Sequence, residues 1–186
     1  MKALPAPGLV VRLAEDGFDH YVASSDFSFM VEAYAQPQAD QPVVQWKLDA
    51  VRPYRKCYSI DSEQFRDHRG SSRAAIFVAW FEGTAVGHLA ISTHWNGLAY
   101  IDELAVAAQA RRHGVARTLL DVAQFWTRRQ LLPGIMLETQ NNNLGACRLY
   151  ESCGFVLGGS DALRYRGIDP DTCEVALFWY LMLPQA

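Results

Sequence analysis

The sequence predicts a mixed α/β domain of the α+β kind, and three observations predict it. Strand-length apolar runs fill the first half of the chain. Two helical segments follow, each preceded by a strand. An aromatic-rich strand closes the chain. The order strands, strand–helix, strand–helix, strand implies helices packed on a sheet.

The strands come first. Leu9 to Leu13 is a short apolar run, and Val43 to Val51 alternates in part. Ile76 to Phe81 and Ala85 to Ser92 meet at Glu82-Gly83-Thr84, a hairpin signal. Tyr100 to Ala107, Ile135 to Thr139 after the Pro133-Gly134 break, and Glu174 to Leu183 are further strands. Residues 33 to 44, with two prolines and three glutamines, read as a loop.

The first helix runs from Gly114 to Gln130. Val115, Leu119, Val122 and Trp126 recur at helical spacing, and Leu120 and Ala123 widen the stripe. The second spans about Asn143 to Ser152. An asparagine run precedes it as an N-cap and Gly154 follows as a C-cap. Ala146, Leu149 and Tyr150 share its inner face.

Composition bounds the function. The 186 residues suffice for one domain, taken as 1–186, and show no internal repeat. Half are hydrophobic and a fifth charged. A net charge of -3 argues against nucleic-acid binding by bulk electrostatics. No apolar run approaches the roughly 20 residues that span a bilayer, so no membrane partner is expected. The opening segment carries Arg12 and Glu15 within an interrupted apolar stretch and reads as no signal peptide. Cys57, Cys147, Cys153 and Cys173 form no CxxC pair, which suits reduced thiols in the cytoplasm. Cys147 and Cys153, flanking Tyr150, are expected to pack near the core. His88, His94 and His113 lack metal-ligand spacing, and no metal is expected.

The most informative segment is YIDELAVAAQARRHGVARTLL, residues 100 to 120. An apolar strand runs into a basic turn, Arg111-Arg112-His113-Gly114-Val115-Ala116, and a helix follows at once. The first turn of a helix has unpartnered N–H groups and a dipole that favours anions. Gly114 and Ala116 let backbone approach a ligand, and Arg111, Arg112 and Arg117 add positive charge. A pyrophosphate would fit. Solvated arginines opposing the helix dipole are the plainer reading of the same residues. No Gly-Lys-Ser/Thr follows, so this is no Walker loop, and the three glycines of a dinucleotide fingerprint are missing.

LETQNNNLGACRLYESCGF, residues 137 to 155, repeats the pattern as strand, Asn-rich turn and helix. Together the two segments resemble the GNAT acetyltransferase superfamily. Arg111-x-x-Gly114-x-Ala116 resembles its pyrophosphate loop. Asn143-x-x-Ala146-x-x-Leu149-Tyr150-Glu151 with Gly154-Phe155 resembles its second cofactor motif. RPYRKCYSID (52 to 61), STHWNGLAYID (92 to 102), LETQNNN (137 to 143), CGFVLGG and the closing FWY are similar to streptothricin acetyltransferases. That likeness runs from about residue 52 to the end; the first 50 residues match only loosely. Two departures stand out. Arg112 replaces a glycine that many such loops carry, and Ala108 replaces a proline.

The resemblance implies a GNAT fold: a central, mixed, mostly antiparallel sheet flanked by helices. It implies acetyl-CoA as co-substrate and a small cationic amine as acceptor, the chain acting as a monomer or homodimer. The strand is expected to splay near Leu104, Ala105 and Val106, whose N–H groups would hold pantetheine and polarise the thioester. Residues Arg111 to Arg117, including His113 and Val115, would hold the pyrophosphate, with Asn143 and Ala146 on the pantetheine arm. Tyr150 would protonate the departing thiolate. Asp102 and Glu103 are the candidate bases. Asp102 is favoured because similar enzymes tend to carry Glu there, and strand alternation would put the two on opposite faces. Trp95, Tyr54, Tyr58 and Glu138 are the residues expected near the acceptor, since aromatic faces and a carboxylate suit a cation. For streptothricin the acetylated amine lies on the β-lysine moiety. The alternatives are the same chemistry on a polyamine or protein N-terminus, or a domain that only binds CoA.

Overall fold

The computed structural model describes residues 8–58 and 60–184. In chain order its elements are β1 (Leu9–Leu13), α1 (Phe18–Ser24), β2 (Phe29–Gln36), β3 (Lys47–Lys56), β4 (Ala74–Phe81), β5 (Thr84–Thr93), β6 (Ala99–Val106), α2 (Val115–Arg129), β7 (Gly134–Gln140), α3 (Leu144–Ser152), β8 (Val156–Asp161) and β9 (Ala176–Met182). Turns of 3-10 helix lie at Val43–Gln45, Ser62–His68 and Ala108–Ala110. The chain divides into two compact units. Among the described residues, one comprises 8–29, 57–58, 60–135 and 183–184, the other 30–56 and 136–182.

In the first unit the strands run in the order β1-β4-β5-β6, antiparallel at each step. The β4–β5 hairpin turns on Glu82 (φ 49°) and Gly83 (φ 80°). Two positive φ angles match the right-handed twist of the flanking strands. Cross-strand partners share a face of the sheet. On one face lies Gly87, and a side-chain carbon there would sit 2.9 Å from Val115 Cγ1 and 3.0 Å from the Ala105 carbonyl. The absence of that carbon lets the first turn of α2 lie directly on β5. The stripe Val115, Leu119, Leu120, Ala123 and Trp126 is buried, as its spacing predicts. The opposite face is covered by a cluster of Phe18, Tyr21 and Val22 from α1, Phe65 from a 3-10 turn, and Ile76, Val78 and Ala90 from the strands.

In the second unit β7, β9 and β8 lie side by side, β8 antiparallel to β9, and β2 and β3 form a separate two-stranded sheet. Its core includes a chain of rings: Trp46 lies 6.0 Å from Trp179, Trp179 6.3 Å from Tyr150, and Tyr150 5.8 Å from Phe155. Asn141, 3% exposed, joins two segments through three bonds. Its Oδ1 accepts from the Val175 N–H, and its Nδ2 donates to the carbonyls of Ala35 and Cys173.

The structure corrects several expectations. Val43 to Val51 is not one strand: Pro42 starts a 3-10 turn, and strand geometry begins only at Lys47. The turn buries Val43 and Trp46, and the Trp46 indole donates to the Gln38 and Gln41 carbonyls. The loop expected from residue 33 begins only at Pro37, because β2 continues to Gln36 with Val31, Ala33 and Ala35 buried in alternation. The last strand starts at Ala176. Helix α1, the turn Ser62–His68 and β8 had no counterpart in the sequence reading. Among the described residues no helix is long and apolar enough to cross a membrane, and no disulfide joins the four cysteines. Cys147 is buried, and burial pushes its thiol up to about 12.

Asn141→Ala should lower stability by about 2–4 kcal/mol in chemical denaturation, since it strands a buried donor and two carbonyls. Asn141→Asp keeps the Val175 bond but sets an oxygen against the Ala35 carbonyl, so it should also destabilise.

Candidate active site

Strand β6 carries both candidate bases. Its register with β5 pairs Ile101 with Ile91 and Glu103 with Ala90, so Asp102 is an extra residue without an opposite partner. This is a β-bulge, which bends a strand and re-aims its side chains. It breaks the alternation that would put Asp102 and Glu103 on opposite faces. Glu103 shares the face of Ala90, which is the face covered by α1 and the Ser62–His68 turn. Asp102 reaches the same side, where its Oδ2 lies 3.1 Å from His68 Nε2. Burial raises the Glu103 carboxyl to about 7, because the charged form is poorly solvated. A base with that value is half ionised at neutral pH.

His88 lies two residues before Ala90 on the same face and is fully buried. Phe18, Tyr21 and Phe27 meet its ring edge-on at 5.3, 5.8 and 5.4 Å. Burial lowers the imidazole to about 4 and raises the Tyr21 phenol, whose oxygen is 3.4 Å from His88 Nδ1. His88 is therefore neutral at physiological pH.

After β6 the chain enters the basic turn. Arg111 is half-buried, and its Nε donates to the Val106 carbonyl and its Nη2 to the Phe27 carbonyl. Burial lowers its guanidinium, and nearby Asp26 opposes the shift. Arg111 thus ties the turn to the segment before β2 in addition to carrying charge. Arg112 adopts φ 69° and Gly114 φ 82°. The left-handed conformation at 112 explains why glycine would be at home there. His113 stacks on Phe81 at 6.5 Å. Gly114 caps α2, the Thr118 N–H donates to the Gly114 carbonyl, and no acidic residue lies in the first turn. A side-chain carbon at Gly114 would meet nothing within 4 Å. An exposed helix start with open space, exposed Arg112 and half-buried Arg117 therefore fits a pyrophosphate. Trp95 lies at the other end of β6, roughly 25 Å along the strand. It is 89% exposed and tilted against His94. Tyr58 is half-buried, its ring 5.8 Å from Phe29.

The second unit holds the remaining candidates. Asn143 is the N-cap of α3, its Oδ1 accepting from the Ala146 N–H at 3.2 Å. Tyr150 is buried. Tyr54 shares a hydroxyl bond of 2.7 Å with Tyr34. Glu138 has both oxygens engaged, one by the Tyr165 hydroxyl at 2.5 Å and one by Arg164 Nε at 2.7 Å. Sequence reasoning missed His68, His88, Arg164 and Tyr165. His68 lies 34 residues from its partner inside an irregular turn and leaves no periodic signal. Among the described residues no group of three His, Cys, Asp or Glu side chains could hold a metal ion.

Residues 41–155 match the model of the acetyltransferase (GNAT) family. The chain belongs to this family. The streptothricin acetyltransferase of Escherichia coli is 38% identical over 131 residues, which is 70% of this chain and 72% of that protein. Streptothricin acetyltransferase A of Bacillus subtilis (strain 168) is 36% identical over 129 residues, or 69% and 73% of the two chains. A Bacillus anthracis (strain Ames) protein provisionally named streptothricin acetyltransferase, solved in complex with acetyl coenzyme A, superposes with a TM-score of 0.83. It is 33% identical, and the match covers 95% of this chain and 98% of that one. The GNAT chain is an acetyl-CoA-dependent N-acetyltransferase, and its mixed α/β fold is the family's. A role confined to CoA binding is set aside.

Gly114→Ala adds strain without a clash, so it should cost only about 1–2 kcal/mol of stability in denaturation. If the turn holds the pyrophosphate, the same variant should raise KM for acetyl-CoA several-fold in steady-state kinetics, because the left-handed residue shapes the turn.

Proposed function

We propose that this GNAT enzyme acetylates a primary amine of streptothricin, on its β-lysine moiety, and thereby inactivates the antibiotic. The observation that carries the substrate is the similarity, over about 70% of the chain, to two enzymes named for streptothricin. The whole chain acts as one catalytic domain in the cytoplasm, as a monomer or homodimer, on a small cationic acceptor.

Acetyl-CoA supplies an activated acetyl thioester. The backbone N–H groups of Val115, Ala116 and Arg117, with Arg112 and His113 around Gly114, hold its pyrophosphate. Arg111 holds the turn in shape through its two carbonyl bonds and adds charge. The N–H of Val106 and its neighbours Leu104 and Ala105 hold pantetheine and polarise the thioester carbonyl. Asn143 spends Oδ1 on its cap and offers Nδ2 to the pantetheine arm, beside Ala146.

A protonated alkylamine is no nucleophile, so a proton leaves nitrogen first. Glu103 takes it: its carboxyl near 7 is far better matched to neutral pH than an ordinary carboxylate. Asp102, the residue favoured from sequence, supports it from the adjoining bulge. Tyr150 returns a proton to the departing sulfur; a phenol near ~10 and a thiol near ~8.5 are close enough for transfer in a positioned pair. Trp95, Tyr54 and Tyr58 offer aromatic surface to the acceptor. Glu138 meets its cation by exchange with Arg164.

The deciding assay is CoA thiol release from acetyl-CoA with streptothricin, against a polyamine and a peptide N-terminus. Fast release with streptothricin alone is expected; release with either control and not streptothricin would overturn the substrate. Ionised Glu103 is the active form, so kcat/KM should rise with pH through a midpoint of about 7. Glu103→Gln should remove that limb and lower kcat by roughly 10²–10⁴-fold. The folded state holds this proton more tightly than the unfolded chain, so ionisation erodes stability as pH rises from about 4.5 through about 7. Glu103→Gln should therefore be more stable than wild type at pH 8 in denaturation. Tyr150→Phe should lose turnover while retaining acetyl-CoA affinity.

A further inference from the structure

His68 sits at the end of the Ser62–His68 turn, far in sequence from every motif. The turn is anchored at both ends. The Asp61 carboxylate accepts from the Glu63 N–H at its start. Phe65 is 4% exposed within the cluster that contains Ala90, the residue opposite Glu103. Just beyond it, Arg69 binds Asp19 of α1 and lies over the Phe18 ring. The His68 ring meets Phe65 edge-on at 5.4 Å, and its side chain is only 13% exposed. Its Nδ1 is buried with no hydrogen-bond partner among the described residues. The hydrogen therefore belongs on Nε2, where it is donated to Asp102 Oδ2 at 3.1 Å.

Asp102 is the extra residue of the bulge, held by no partner on β5. The bulge decides which face Glu103 takes. Without it, Glu103 would alternate onto the Ile101 face, toward Leu89 and α2; with it, Glu103 faces the cluster side. The extra residue of a bulge is left outside the ladder of strand hydrogen bonds. Among the described residues, the side chain that grips Asp102 is His68.

We propose that His68 is a positioning residue for acetyl transfer: by gripping Asp102 it pins the bulge and so aims the Glu103 carboxyl. The proposal rests on Glu103 being the base. His68 itself takes no proton from the amine.

The test compares His68→Ala, His68→Gln and Asp102→Ala in the intact enzyme. His68→Ala should lower kcat about 10²-fold, the scale expected when a catalytic group is misplaced by about 1 Å. KM for acetyl-CoA should stay within about two-fold, because the basic turn is untouched. The acidic limb of the pH profile should move away from about 7 as the Glu103 environment loosens. His68→Gln places an N–H near the position of Nε2 and should restore kcat to within a few-fold, with the limb back in place. Asp102→Ala removes the same bond from the other side and should behave like His68→Ala, which covers the case where His68→Ala does not fold. Wild-type kcat in His68→Ala would overturn the proposal. Equal loss in His68→Gln and His68→Ala would overturn it too, by making the imidazole the proton carrier. Glu103→Gln separates the two levels: if it remains active the base assignment fails, whereas an inactive Glu103→Gln beside a normal His68→Ala sinks only the role of His68.

Discussion

One extra residue in β6 decides which way the adjacent carboxylates of the first unit face. A regular strand would present alternate residues to opposite faces, and two adjacent carboxylates could not work together. The slip at Asp102 changes that geometry. It turns both carboxylates toward the side occupied by α1 and the Ser62–His68 turn, where each meets a different environment. Asp102 finds a hydrogen-bond donor. Glu103 finds desolvation, which raises its carboxyl to about 7. Two similar residues thus acquire different surroundings from one backbone irregularity.

The basic turn meets a different constraint, that of opening a helix with its first N–H groups clear of other atoms. Its geometry depends on one small residue in β5 and another at the helix cap. Gly87 lets the helix start rest on β5, and Gly114 supplies the left-handed corner from which α2 leaves. Arg111 then fixes the turn from within through the Val106 and Phe27 carbonyls. The guanidinium is partly a strut, which a count of positive charge alone does not reveal.

Much of this was legible in the sequence because its signals are local. The Glu82-Gly83 turn, the apolar stripe of α2 and the Asn143 cap lie within a few residues of the structure they specify, and they occur where the spacing predicts. The hidden parts depend on distant partners. His68 and Asp102 are 34 residues apart, and a 3-10 turn has no extended periodicity to betray it. A bulge depends on the register of two strands, so Asp102 looks in sequence like any alternating residue. Glu138 reads as an available anion until Arg164 and Tyr165, more than twenty residues later, fold onto it. The alternation in β2 was present but was masked by the prolines and glutamines that follow.

Arg112 carries a last consequence. An arginine held at φ 69° gives up about 1–2 kcal/mol that glycine would not. Glycine, however, is freer than any other residue in the unfolded chain and in a loosened loop. A side chain at this position narrows the range of shapes the turn can take. A turn with fewer alternative shapes has less ordering entropy to lose if it takes a ligand. Strain in one residue is exchanged for readiness in the whole turn.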